Sequence, residues 1–179
     1  MGNLTSLRLR LGPLAFFALL LQVVNPPGRW PLVMLLTSFV LLSVFAAVNL
    51  RIRGFLLIVV GVALNFTVIG VNEGMPVSES ALISSGQADT VRTLTDHADG
   101  YVKHHLATAD DRLLFLGDVI ALPPPISQAF SVGDVFTYGG VAWVVIAGML
   151  GRSGVGATSR FERVPASARA GREAGRVVS

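Results

Sequence analysis

The chain contains no cysteine, which excludes disulfide staples and thiolate metal sites in any compartment. It is also short of charge. Only 14% of its 179 residues are Asp, Glu, Lys or Arg, against about 25% in an ordinary soluble domain. The fingerprints of nucleotide and hydrolase chemistry are missing too. There is no Walker loop or dinucleotide-binding glycine fingerprint, and no serine sits in Gly-x-Ser-x-Gly. His97, His104 and His105 stand near Asp96, Asp99, Asp110 and Asp111, yet no His-x-x-x-His pair exists, and adjacent His104 and His105 diverge on a helix or a strand. These residues read as a solvated loop, so neither a metal nor another cofactor is expected.

What the chain has is apolar length. It is 52% hydrophobic with a mean hydropathy of +0.65. Residues 11–24 are apolar except for Gln22 and follow a basic start with Arg8 and Arg10. That pattern resembles a signal peptide, but no small-x-small cleavage site follows. We read an uncleaved first span, on the short side of the usual ~20 residues. The turn Asn25-Pro26-Pro27-Gly28-Arg29-Trp30-Pro31 leads into a second uncharged run, 32–48. Prolines cannot continue a helix, and Trp30 suits a membrane interface. Arg51 and Arg53 mark the next turn, and 55–71 is apolar on every face of a helix. Gly70 and Gly74, at the end of that stretch and just beyond it, have small-x-x-x-small spacing, which would let a neighbouring helix approach, though a plain turn explains Gly74 equally well. A last apolar run, 135–150, follows Ser131, a plausible helix cap with Asp134 in the first turn.

The expected fold is therefore an all-α membrane protein of about four transmembrane helices within residues 1–150. A partly ordered extracytoplasmic region, 72–133, carries short helices between the third and fourth spans. Pro76 stops the third helix, and Ser78 caps a short helix through Ser85 that Gly86 closes. The apolar run 113–122 is too short to span; a re-entrant segment, an interfacial helix and a buried prop all fit it. Residues 151–179 read as a disordered tail with six arginines. Four spans put ten basic residues with the termini and four on the other side; without the 72–133 loop the ratio is ten to one. The positive-inside rule then places both termini in the cytoplasm of a cell-membrane protein. Its partners would be the lipid bilayer, anionic lipid at the Arg-rich tail, and a second copy or another membrane protein, with no nucleic acid.

A few polar residues stand next to apolar surface and carry whatever chemistry there is. Asn65 and Asn72, seven apart, share one helical face. Glu73 sits where that helix leaves the membrane. Asp118 lies inside the apolar run 113–122, where an unpaired charge is costly. The plainest account makes it a cap of a short helix after it. With Ser131 and Asp134, these residues form the expected polar cluster Asn65, Asn72, Asp118, Ser131 and Asp134. Asn72, Asp118 and Asp134 are expected at one depth, with Lys103 or His104 supplying the compensating charge. The candidates for catalysis, were there any, are Glu73, Lys103, His104, Asp118 and Asp134.

The order Asn65, Asn72-x-Gly74-Met75-Pro76-Val77, Lys103-His104, Leu116-Gly117-Asp118 and Ser131-x-Gly133-Asp134 resembles an uncharacterised family of small bacterial multi-pass membrane proteins, a domain of unknown function. The resemblance covers roughly residues 5–150 and implies a helical membrane protein without implying an activity. The resemblance implies two glycines after the asparagine in most members, where this chain has Glu73 at the first, and usually one further helix at the start, which suggests a shortened or misassigned start here. Three function classes follow: a structural or partner-binding membrane component, which we place first; a small transporter or channel subunit; and an enzyme working at the outer interface on a lipid-linked substrate. Convergence of the five candidates on one concavity would favour the last two over the first.

Overall fold

The computed structural model describes residues 9–96 and 103–150. The readings made for Arg8, His97, Asp99 and the Arg-rich tail lie outside the described residues. Four helices form a bundle: α1 (Gly12–Val23), α2 (Trp30–Val48), α3 (Phe55–Asn72) and α6 (Val132–Met149). Between α3 and α6 the chain builds a small cap from β1 (Met75–Val77), α4 (Glu79–Ser84), α5 (Ala88–Asp96), β2 (His104–Leu106), β3 (Ile120–Leu122) and β4 (Gln128–Phe130).

Among the described residues, α2, α3 and α6 are long and apolar enough to cross a membrane. Only 22–33% of each apolar stretch is buried inside the protein. The remainder, including Phe66, Val135, Trp143 and Ile146, is exposed apolar surface far beyond what a water-soluble monomer presents. These helices are therefore compatible with a membrane protein. α1 differs from the expected span. It has 12 residues, about 18 Å of helix against a hydrocarbon thickness of about 30 Å.

The helices pack in the order α1, α2, α3, α6. Short turns make the first three antiparallel. Asn49, almost wholly buried, ties one end together: its Nδ2 donates to Arg10 O (2.8 Å) and Phe45 O (2.8 Å), and its Oδ1 accepts from Arg10 N (2.9 Å). Gln22, the polar interruption of the first apolar run, donates to Ser38 Oγ (2.9 Å) and so joins α1 to α2.

The α3–α6 contact is made by glycines. A methyl group on Gly54 would lie 2.6 Å from Gly140 O, and one on Gly140 would lie 2.7 Å from Gly54 O. One on Gly61 would run into Thr137 Oγ1 and Gly133 O. The backbones are thus too close for any side chain between them, the arrangement that lets helices associate where lipid removes the hydrophobic drive. A methyl group on Gly70 would meet nothing within 4 Å beyond its own helix and chain neighbours, so no described element packs closely on that glycine. Gly61→Ala should cost about 1–3 kcal/mol through overpacking. Gly70→Ala should be neutral or slightly stabilising, because alanine is the better helix former. Thermal unfolding of both variants in detergent checks this; equal midpoints would argue against the glycine seam.

The cap corrects the all-α expectation, because it contains two small sheets. β1 pairs in parallel with β2, Met75 opposite His104 and Val77 opposite Leu106. β3 and β4 form an antiparallel pair. The expected short helix is present: Ser78 Oγ accepts from Ala81 N, and Gly86 follows at φ 84°. The apolar run 113–122 is not one helix, and part of it is a buried prop. It makes a single 3-10 turn (Leu114–Leu116), places Leu116 in the core with Leu35, Val68, Ile69 and Met75, and then becomes β3.

Candidate functional site

The site is built around β1. On one side of this strand lies β2. On the other, Asp118 makes a lone parallel bridge to Val77. Asp118 N donates to Pro76 O (3.0 Å), and Ser78 N donates to Asp118 O (3.1 Å). Proline lacks an N–H but keeps its carbonyl, so Pro76 can occupy this strand. Gly117 permits the approach, since a methyl there would lie 2.5 Å from Pro76 O. No helix follows Asp118, so it is not a helix cap as expected. It is a strand residue held by its backbone, with its carboxyl left for other use.

Asp134 is held differently, although both aspartates follow Gly in a similar tetrapeptide. It closes a capping box at the start of α6: Ser131 Oγ accepts from Asp134 N (3.0 Å), and Asp134 Oδ2 accepts from Ser131 N (3.1 Å). Asn65 completes a ring across the helix contact. Its Nδ2 donates to Asp134 Oδ1 (2.7 Å), and its Oδ1 accepts from Ser131 Oγ (2.9 Å). Asn65 and Ser131 are both buried. Each polar group in this ring meets one of opposite kind, which makes a charged side chain tolerable at a helix contact.

Asp118 is not so provided for. Its side chain is only 10% exposed, and its Oδ1 is buried with no hydrogen-bond partner among the described residues. Its Oδ2 lies 3.9 Å from His104 Nε2, too far for a hydrogen bond. Burial first, and then the neighbouring charge of Asp134, raises its pKa from 3.8 to about 7. The crowding of protein around His104 is the main cause lowering its pKa below the usual 6.5; Asp134 opposes this, while Lys103 and His105 add to it. Half of the imidazole is nevertheless open, and that open part lines the cavities described next. A carboxyl group whose pKa is raised to about 7 and an imidazole whose pKa is lowered thus face each other.

Two cavities meet at this point. One, of about 400 Å³, lies under the cap between α4, α5, β4 and α6. The other, of about 190 Å³, reaches into the bundle beside Gln22, Phe39, Asn65 and Lys103. His104, Asp118 and Asp134 line both. A third cavity, of about 440 Å³, lies on α6 by Arg53 and Trp143. It is mostly apolar and far from the paired carboxyls, as expected of a groove on the lipid-facing surface.

The remaining candidates do other work. Lys103 Nζ donates to the carbonyls of Gln22 and Val24, where a cation suits the exposed carbonyls ending α1. Burial lowers its pKa. It braces the cap on α1, and among the described residues it forms no ion pair with Asp118. Asn72 does not join the carboxyl cluster: it donates to Val68 O (2.9 Å) and clamps the backbone of Arg112, donating to its O (2.8 Å) and accepting from its N (2.8 Å). Glu73 pairs with Arg29 at 2.8 Å with both side chains largely exposed. Such a pair is worth about 1 kcal/mol or less. Glu73 also has φ 54°, a left-handed conformation that glycine enters without strain. His105 bonds Asp111 (2.9 Å), which also accepts from Thr108 N (2.7 Å) and Oγ1 (3.0 Å). Burial opposes the Asp111 charge, but these bonds together outweigh it and hold the carboxyl below its ordinary range.

Sequence reasoning missed Tyr138, Phe130, Gln87 and Thr90 as chamber residues. Phe130 and Tyr138 stack with ring centroids 5.3 Å apart. An aromatic two turns into α6, on the side of Asp134, was the available signal.

Residues 7–146 match the model of a family of unknown function, DUF5317, and the chain belongs to that family. No curated protein and no solved structure matches it.

Proposed function

For this member of a family without an assigned activity, we propose a membrane-bound binding component. Its cap and bundle form a chamber at one face of the cell membrane that receives a small molecule. In this reading α1 is a fourth, short inserted helix. Both ends of the chain lie on the cytoplasmic side with the arginines, and the cap lies outside. The bilayer is its solvent, and a second copy or another membrane protein is a natural neighbour for its uncovered helix faces.

The observation that carries the binding role is the shared wall. His104, Asp118 and Asp134 line both the 400 Å³ chamber and the pocket beneath it. Convergent polar groups in a largely apolar cavity of this size are the usual form of a small-molecule site. They favour ligand binding, alone or within a transporter, over a purely structural part. The Ser131 hydroxyl is committed on both sides, donating to Asn65 and accepting from Asp134 N. It is not free to act as a nucleophile, which favours binding over group transfer.

The cysteine-free chain makes the test direct. Thr90 lines the chamber and Arg53 stands at the opposite end of the bundle. In intact cells, Thr90→Cys should react with a membrane-impermeant maleimide, and Arg53→Cys should react only after permeabilisation. The reverse pattern would overturn the orientation. Protection of Thr90→Cys on both sides of the membrane would overturn the open chamber.

A further inference from the structure

We propose that the chamber takes an organic ammonium ion with an apolar body, its charge held by Asp118 with Asp134 behind it and its body lying against Phe130 and Tyr138. This rests on the binding role proposed above and names the class of ligand.

Five features of the cavity point the same way. Its lining has two carboxyl groups and neither Lys nor Arg. Asp118, nine-tenths buried, has an oxygen without a donor among the described residues. Rotation about a carboxyl's terminal torsion is soft, so that acceptor can turn to an arriving N–H. The stacked Phe130 and Tyr138 rings stand in the same wall, and the face of an aromatic ring attracts a cation. The rest of the lining is mixed, with Val77, Leu82, Leu94 and Ala129 beside the uncharged Gln87, Thr90 and Gln128. At about 400 Å³ the space suits a small organic molecule and is far larger than a bare metal ion needs.

The charges facing Asp118 are few. From α6 come Asp134 and Tyr138, and from β2 comes His104, held largely neutral. Lys103 turns its ammonium to the end of α1. The chamber residues of α4, α5 and β4 are not titratable. A bound cation therefore favours the ionised form of Asp118, whose ordinary state near neutrality is balanced between acid and carboxylate. Binding R–NH3+ releases the Asp118 proton to solvent, and the amine keeps its own. Affinity should rise with pH, by about tenfold per unit well below pH 7 and by little above about pH 8.

The probes are phenethylamine, phenethyl alcohol and phenylacetate, three bodies alike with different charge. They are titrated into the full chain in detergent at about pH 5.5, 7 and 8.5, following Tyr and Trp fluorescence and the unfolding midpoint. The amine should bind and stabilise, most at high pH, while the alcohol binds at least tenfold more weakly and the acid not at all. Asp118→Asn should remove the pH dependence. Phe130→Leu should weaken the amine about threefold to tenfold and keep the pH dependence. Equal binding of alcohol and amine would overturn the ammonium ligand and leave the chamber standing. Displacement of the amine by millimolar calcium as readily as by a second amine would assign the site to an inorganic cation and overturn it as well. Binding of no probe by a protein whose Thr90→Cys form labels normally would overturn the ligand class alone; loss of that labelling too would remove the binding role.

Discussion

Asp118→Asn should make the protein more stable above about pH 7, although it replaces a buried acid. The folded state raises the Asp118 pKa from 3.8 to about 7. Between those values the folded protein keeps a proton that the unfolded chain has lost. Stability therefore falls as pH rises through that window, by about 1.4 kcal/mol per unit. Asparagine has no proton to lose. The difference between variant and parent should grow from about pH 4 and level off above about pH 8 at several kcal/mol. His104 acts in the opposite sense. Its pKa is lowered in the folded state, so its contribution is lost as pH drops below 6.5. The two slopes oppose each other, so the difference between the two proteins is the quantity to measure. Chemical unfolding of both in detergent at pH 5 and pH 8 supplies it. An Asn variant that is less stable at pH 8, or a difference that is the same at both pH values, would sink the account of Asp118 as a carboxyl held against its charge.

The helical part of this fold was legible because its physics is local. Long uncharged runs, proline turns and a Ser-x-x-Asp cap each declare themselves within a few residues. The Ser78 and Ser131 caps both form as the sequence indicates. The cap region was not legible in the same way. β1 is three residues long and contains a proline, and β2 and Asp118 reach it from about thirty and forty residues away. Strands this short have no measurable alternation, and their partners are fixed by tertiary closure alone. The apolar run 113–122 was misleading for a related reason. Its hydrophobicity serves the core through Leu116 and a sheet through β3, two uses that share no single period.

Part of the site could be read and part could not. A carboxylate in apolar sequence signals that a cost must be met, which singles out Asp118. Where the chain meets that cost was hidden. The sequence makes Lys103, next to His104, look like the natural counter-charge, yet the lysine turns to the carbonyls that end α1. A strand reverses its side chains at every residue, so neighbours in sequence serve opposite sides of the cap. Asn72 was drawn into the cluster by its helical spacing from Asn65. Seven residues is nearly two turns, so the shared face is real, but two turns along the axis is about 10 Å. At that distance the two amides meet different partners, Asp134 and Arg112.

Asn65→Leu should be the most damaging single change at the bundle contact. The two side chains are similar in size, so the effect comes from polar bonding and little from lost volume. The amide links α3 to α6 through two bonds, one donated to the Asp134 carboxylate at 2.7 Å and one accepted from Ser131 Oγ at 2.9 Å. Hydrogen bonds between helices in membranes average only about 0.6 kcal/mol. The Asp134 bond belongs to a stronger class, because its acceptor is charged and a bond of that kind is worth about 1.5–3 kcal/mol. The Ser131 hydroxyl, wholly buried, would lose its acceptor as well, at about 1–3 kcal/mol. Together these give a loss of about 3–5 kcal/mol. Ser131→Ala provides the comparison. It removes the cap on α6, typically about 1 kcal/mol, together with the hydroxyl's bond to Asn65 Oδ1, and leaves the charge-assisted Asn65–Asp134 bond in place. Unfolding midpoints should therefore fall in the order parent, Ser131→Ala, Asn65→Leu, with the last variant losing α3–α6 contact and the floor of the two cavities together. If Asn65→Leu proves no worse than Ser131→Ala, the ring of Asn65, Ser131 and Asp134 is only a helix cap, and α3 and α6 are held by their glycine seam alone.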